Sequence, residues 1–260
     1  MLLIPILFFA LLGLVIGSFL NVVIIRSVAE ESLGGRSHCR SCQHTLRARE
    51  LVPVASFFLQ GGRCRHCRAP ISWQYPFVEV ATAFLFAHAA IIFLPFLVME
   101  PSLETLIFFV SILFVCVAGV VALVADLRFQ IIPNGAALTL AVVGFLVSFV
   151  RGGLAGLAYD GGAAIIISAF LGALWLVSRG KWLGLGDAKL IFGISLLIGY
   201  PAAFVALLFA FWLGGAAGII LMLAGGKKWG SAIPFGPFIL AGAIMAYGYS
   251  SVFFALLGWS

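Results

Sequence analysis

The sequence predicts an all-α polytopic membrane protein, with about eight transmembrane helices and one small polar loop domain after the first. Three observations predict it. Only 15 Lys and Arg and 9 Asp and Glu occur in 260 residues, 9% of the chain, where an ordinary soluble domain carries about 25%. Hydrophobic residues make up 63%. These apolar residues gather into stretches close to the ~20 that a helix needs to cross the hydrocarbon core. Such a composition excludes a disordered chain, a coiled coil and a nucleic-acid-binding module. The net charge of +6 then marks orientation in a membrane rather than a polyanionic partner.

The first apolar stretch covers residues 2–25. No basic segment precedes it and no small-residue cleavage site follows before Arg26, so it is expected to be a retained helix rather than a removed signal peptide. The second stretch is 76–99, the third 103–125, the fourth 131–150 and the fifth 154–178. The sixth, 186–199, is short for a full span, and is expected to tilt or to break at the glycines before it. The seventh is 201–224 and the eighth 233–258.

Threading eight helices puts alternate loops on one side. The loop from Arg26 to Tyr75 holds eight arginines. Arg128, Arg179, Lys181, Lys189, Lys227 and Lys228 fall on the same side, and only Arg151 falls on the other. Basic residues accumulate on the cytoplasmic face of membrane proteins, so that side is expected to be cytoplasmic and both termini to lie outside.

Residues 26–75 form the one sizeable polar segment. It contains Cys39-Arg40-Ser41-Cys42 and Cys64-Arg65-His66-Cys67. Two Cys-x-x-Cys pairs at this spacing are a zinc signature, each pair forming one knuckle of a tetrahedral Cys₄ site. Disulfides are the rival reading, and a reducing cytoplasm disfavours them. Four thiolates leave no position for a catalytic water, so the zinc is expected to be structural. Neighbouring arginines would offset the negative charge of such a centre. His38, His44 and His66 flank the pairs as surface residues able to replace a ligand, and Cys116 reads as a small apolar helix residue. The apolar stretch 51–59 between the pairs is open to two uses, as the loop's own core or as a surface that docks on the membrane.

An acid inside a membrane helix is costly and therefore a functional candidate. Asp126 closes the third stretch and Asp187 opens the sixth, within Gly184-Leu185-Gly186-Asp187. The threading puts both at the cytoplasmic end. Two apposed carboxylates suit aspartyl hydrolysis, because like charges a few Å apart share a proton. Gly184 and Gly186 let the backbone bend and approach closely just before Asp187. The competing reading pairs these acids with Arg128 or Lys189 as interfacial salt bridges. Asp160 lies near the opposite interface and reads as a helix-end residue. Glu79, in the first turn of the second stretch, either binds substrate, holds the loop domain or answers the helix dipole. No His-Glu-x-x-His and no Gly-x-Ser-x-Gly is present, which leaves zinc-protease and serine-elbow chemistry unsupported.

These pieces together resemble the type IV prepilin peptidase family. The resemblance runs through Gly17-Ser18-Phe19-Leu20-Asn21-Val22-Val23, the two cysteine pairs, Gly62-Arg63-Cys64, Ile71-Ser72 and Tyr75-Pro76 through Glu79. It continues with Asp126, Ile132-Pro133-Asn134, Gly184 to Leu190, and Phe235-Gly236-Pro237. Gly-x-Gly-Asp alone would be weak, since presenilin-type proteases share it. The resemblance implies a bacterial inner-membrane aspartyl endopeptidase with Asp126 and Asp187 as the catalytic pair. It implies cleavage of prepilin or pseudopilin leaders on the cytoplasmic side, after a glycine. Relatives with the cysteine loop also methylate the new N-terminus with S-adenosylmethionine, and Gly62 and Glu79 match positions near that activity. Arg40 stands where the family commonly has proline, a departure that leaves metal binding unaffected. The implied organisation is helix one at 1–25, a cytoplasmic Cys₄ zinc loop domain at 26–75 and a transmembrane aspartyl peptidase bundle at 76–260. The competing class is a non-enzymatic transporter or assembly factor with intramembrane acids and a structural zinc domain. It would need a polar pathway, and the mid-membrane stretches hold few polar residues.

Overall fold

The structure is a computed structural model that describes residues 2–224 and 233–256. Lys227 and Lys228, counted above for orientation, lie outside the described residues. The regular elements are helical: α1 (Leu3–Val28), α2 (Ala55–Leu59), α3 (Gln74–Met99), α4 (Leu103–Phe129), α5 (Asn134–Ser178), α6 (Leu185–Ile198), α7 (Ala202–Leu223) and α8 (Gly236–Leu256), with a 3₁₀ turn at Ala48–Glu50. Helices satisfy the backbone groups between their ends internally, as hydrocarbon requires. Among the described residues, α1, α3, α4, α5 and α7 are long and apolar enough to cross a membrane. The 14 residues of α6 span only about 21 Å.

The expected fourth and fifth stretches are two arms of one element, α5. The arms meet at Gly153, whose φ of 60° and ψ of −151° are non-helical. That region of backbone space is essentially restricted to glycine, and it falls in the gap between the two expected stretches. Ser148 on the first arm donates its hydroxyl to Asp160 on the second at 2.7 Å. Along an unbroken helix these residues would stand about 18 Å apart, so the arms fold back on each other.

The chain divides into two compact units, Met1–Val121 and Ala122–Ser260. In the first, α1 packs closely on α3. A Cβ added at Gly17 would lie 2.7 Å from the Cα of Glu79. Buried Asn21 donates its amide to the carbonyls of Gly17 and Tyr75, both at 3.2 Å, and accepts from Gln74 at 3.1 Å. This side chain thus ties α1 to the start of α3. Arg26, in the last turn of α1, donates to the carbonyls of Ser32, Leu33, Gly34 and Arg36. Its planar fork of donors organises the start of the polar loop.

In the second unit both arms of α5 pack on α6. Leu140, Ile167, Leu171, Leu190 and Ile191 are fully buried there. At the kink, Asp160 also accepts from Arg151 at 2.7 Å and from the Tyr200 amide at 2.8 Å, while Arg151 donates to the carbonyls of Leu197 and Ile198. Asp160 was expected as a helix-end residue, and the structure gives it three hydrogen-bond partners. It is the centre of a polar junction joining the α5 kink to the end of α6, more than a lone helix-end residue.

Candidate active site and metal centre

Asp126 lies in the last turn of α4, and Asp187 in the first turn of α6. Their exposures are 5% and 6%. Asp126 accepts the backbone amide of Gly236 at 2.8 Å on Oδ2, and Gly236 is the first residue of α8. Asp187 accepts the backbone amide of Gly184 at 2.9 Å, also on Oδ2, and Gly184 is the N-cap of its own helix. Each buried carboxylate is thus held against the N-terminus of a helix, where free amides and the positive end of the helix dipole gather. The charge of Asp126 acts on Asp187, an interaction that a poorly screened bundle lets reach over several Å.

The neighbouring glycines act through shape. A Cβ on Gly236 would sit 2.7 Å from Asp126 Oδ2, and a Cβ on Gly186 would sit 3.0 Å from the Cβ of Ile132. Gly184 carries the capping amide. One residue beyond Pro133, Asn134 opens α5 and accepts Lys189 Nζ at 3.0 Å. The Ile132-Pro133-Asn134 segment is thereby fastened to α6 around Asp187. The sequence pointed to both acids and to the Gly-x-Gly turn. It did not assign Gly236 its contact with Asp126, since 110 residues separate them; the Gly-Pro pair at a helix start was the available signal.

In the loop, Cys39, Cys42, Cys64 and Cys67 bring their sulfurs within 4.8 Å of one another. The two halves repeat one local design. Cys39 N–H bonds to the His44 carbonyl and Gln43 N–H to the Cys39 carbonyl; Cys64 N–H bonds to the Ala69 carbonyl and Arg68 N–H to the Cys64 carbonyl. Gln43 and Arg68 both take positive φ, at 58° and 62°. Isolated bridges His38–Thr45 and Arg63–Pro70 close each turn. The cysteines are free thiols, so the disulfide alternative is not what the structure holds. The Cys39 and Cys67 sulfurs stand 3.9 Å apart. Tetrahedral zinc with Zn–S bonds of ~2.3 Å places its sulfurs about 3.8 Å apart, so the donor set fits this ion. Burial tends to raise the Cys39 thiol, but amides of Cys42 and Ser41 and the thiols of Cys64 and Cys42 bring it down to about 7. The His44 contact tends to lower Cys42, yet burial and the thiols of Cys67, Cys39 and Cys64 drive it up to about 11. One thiolate forms readily and the next is opposed, the condition that a cation relieves.

Gly62 and Glu79 both support this loop. Gly62 takes φ +65°, and a Cβ there would lie 3.3 Å from the Phe57 ring. It donates to the Phe57 carbonyl and accepts from the Ile71 amide. Buried Glu79 accepts the Val54 amide at 2.7 Å, and Val54 is the N-cap of α2. His44 and His66 stack at 4.7 Å beside the thiols.

Among the described residues, helices apolar enough to span a membrane, two buried aspartates and a four-cysteine loop have the outline of a membrane-embedded aspartyl peptidase. Residues 11–93 match the family model for the bacterial peptidase A24 N-terminal domain, and residues 111–219 match the type IV leader peptidase family. The cysteines, Gly62 and Glu79 fall in the first match, and both aspartates in the second. The chain is 33% identical to a prepilin leader peptidase/N-methyltransferase of Burkholderia pseudomallei strain 1026b, over 96% of this chain and 87% of that one. It is 34% identical to a protein of the same description from Bacillus subtilis strain 168, over 91% of each. It is 29% identical to a type 4 prepilin-like proteins leader peptide-processing enzyme of Escherichia coli O78:H11, over 93% of each. No solved structure matches the chain. The chain belongs to the type IV leader peptidase family.

Proposed function

We propose that this protein is an aspartyl endopeptidase of the bacterial inner membrane that removes the leaders of type IV prepilins or type II secretion pseudopilins, cutting after a glycine, and then N-methylates the new terminus. The observation that carries the reading is the pair of buried, interacting aspartates, each fixed at a helix N-terminus. Asp126 and Asp187 share a proton. The ionised member takes a proton from a water, which attacks the scissile carbonyl. The protonated member donates a hydrogen bond to the carbonyl oxygen and then protonates the leaving amine. Gly184, Gly186 and Gly236 hold the carboxylates at their depth and keep room for the substrate backbone.

Cys39, Cys42, Cys64 and Cys67 hold a structural zinc that fixes the two knuckles of the loop. S-adenosylmethionine supplies the methyl group in the second activity. Gly62 and Glu79 serve that activity through the loop, Gly62 by shaping the second knuckle and Glu79 by holding the N-cap of α2. Eight spans, with the two arms of α5 crossing separately, place the loop at 26–75 and the active face of the 76–260 bundle in the cytoplasm, with both termini outside. The charge asymmetry supports this orientation.

The test mixes the purified protein with a prepilin and isotopically labelled S-adenosylmethionine and follows the substrate by mass. Loss of the leader and gain of one labelled methyl are expected. Asp126→Asn or Asp187→Asn should abolish cleavage while a pre-cleaved pilin is still methylated. Full cleavage by both variants rejects the assignment.

A further inference from the structure

The polar loop carries an apolar patch that neither the cysteines nor the aspartates use. Phe57 of α2 is buried, its ring 4.8 Å from that of Trp73. The next two residues turn outward: Phe58 is 60% exposed, Leu59 78%, and nearby Val52 48%. Large apolar residues grouped on the surface of a small polar loop mark a contact surface.

Three observations say what that contact is. The patch is continuous with the lipid-facing side of a spanning helix. Trp73 is the N-cap of α3 and its ring lies 6.1 Å from that of Phe58. Trp73, Phe77, Val80 and Phe84 recur at helical spacing on one stripe, and all four are exposed. The patch is also held at a fixed level, because Glu79 in the second turn of α3 accepts the Val54 amide that opens α2. Finally, the loop is basic. Residues 26–75 contain eight arginines against three glutamates, an excess that survives the negative charge of a Cys₄ zinc centre. Arg63, Arg65 and Arg68, beside the second cysteine pair, are exposed.

We propose that α2 and Trp73 seat the cysteine loop on the anionic lipid surface of the membrane that α3 crosses. Phe58, Leu59, Val52 and Trp73 enter the boundary between headgroups and acyl chains, where aromatic residues collect. The arginines face the headgroup phosphates, each near-surface basic residue adding about fivefold to the affinity. The seat holds the knuckles at the level where a membrane-anchored substrate emerges. It rests on the membrane placement of α3 and is independent of the peptidase chemistry.

The test uses the full-length protein in nanodiscs of phosphatidylcholine alone or mixed with phosphatidylglycerol. The photo-crosslinker p-benzoylphenylalanine replaces Phe58, Leu59 or, as the membrane control, Phe84. The expected result is a lipid adduct at all three positions, with the yield at 58 and 59 rising severalfold with phosphatidylglycerol and the yield at 84 unchanged. Combined Arg63→Glu and Arg65→Glu should remove that rise. Labelling at 84 without lipid at 58 or 59 overturns the seat and leaves the membrane reading intact. No lipid at 84 removes both. Adducts at 58 or 59 to a second copy of the chain, or to an added prepilin, give the surface to a protein partner and overturn the proposal. Equal yields at 58 and 59 in the two disc types overturn the anionic lipid assignment.

Discussion

The first backbone amide of α8, at Gly236, donates to the carboxylate of Asp126 at the end of α4, at 2.8 Å. A helix terminus remote in sequence thus fixes an acid that α4 alone would leave free to rotate. Asp187 is fixed from within its own helix by Gly184, so the two acids are positioned by different means.

Gly236→Ala puts a methyl carbon 2.7 Å from Asp126 Oδ2, too close for both to stay in place. Misplacing a reacting group by about 1 Å costs about 100-fold in rate. Leader cleavage by the membrane-inserted variant should fall by that order, while methylation of a pre-cleaved pilin is retained. Cleavage at the parental rate would separate Gly236 from the active site.

Zinc content gives a second measurement. The purified protein should carry one zinc per chain by elemental analysis. Cys64→Ser, which removes the buried sulfur of the set, should lose it. Chelation should abolish protection of residues 36–73 from hydrogen exchange, because a structural zinc contributes folding energy directly. Protection unchanged by chelation would make the metal dispensable to the loop.

Glu79 offers a test of support against chemistry. Glu79→Gln keeps an oxygen acceptor for the Val54 amide, whereas Glu79→Ala leaves that amide without one, a cost of about 1–3 kcal/mol. Hydrogen exchange across 51–60 should therefore quicken in the alanine variant and stay near the parental rate in the glutamine one. Methyl transfer should follow the same order. Equal loss in both variants would instead assign the carboxylate's charge a direct role.

Asp160→Ala removes one acceptor from Ser148, Arg151 and the Tyr200 amide together. Arg151 is partly exposed, so solvent discounts its share. The buried Ser148 and the amide leave a cost of about 2 kcal/mol, read as a lower thermal midpoint in detergent. Specific cleavage by the folded fraction should be unchanged, since the junction only braces the α5 kink.

Gly153→Ala meets a backbone conformation that costs a non-glycine residue about 1–3 kcal/mol. Thermal unfolding should show a loss of that size. An unchanged midpoint would mean that the arms of α5 do not turn at this residue.

The sequence by itself determined the helical membrane class and the cluster of four cysteines, and it singled out the two aspartates. Each is a local or compositional signal: apolar length, Cys-x-x-Cys spacing, and acids rare enough to stand out. The stretch 51–59 was undecided because five helical residues are too few for periodicity to show. Tertiary structure alone decided which of its large apolar residues is core, Phe57, and which face outward, Phe58 and Leu59. It alone decided that Glu79 holds Val54, that Asp160 gathers Ser148, Arg151 and Tyr200, and that α8 begins on Asp126. These contacts join residues up to 110 positions apart, and no local preference encodes them. They arise because buried polar groups in a helical bundle need partners, and only the packed chain brings those partners within reach.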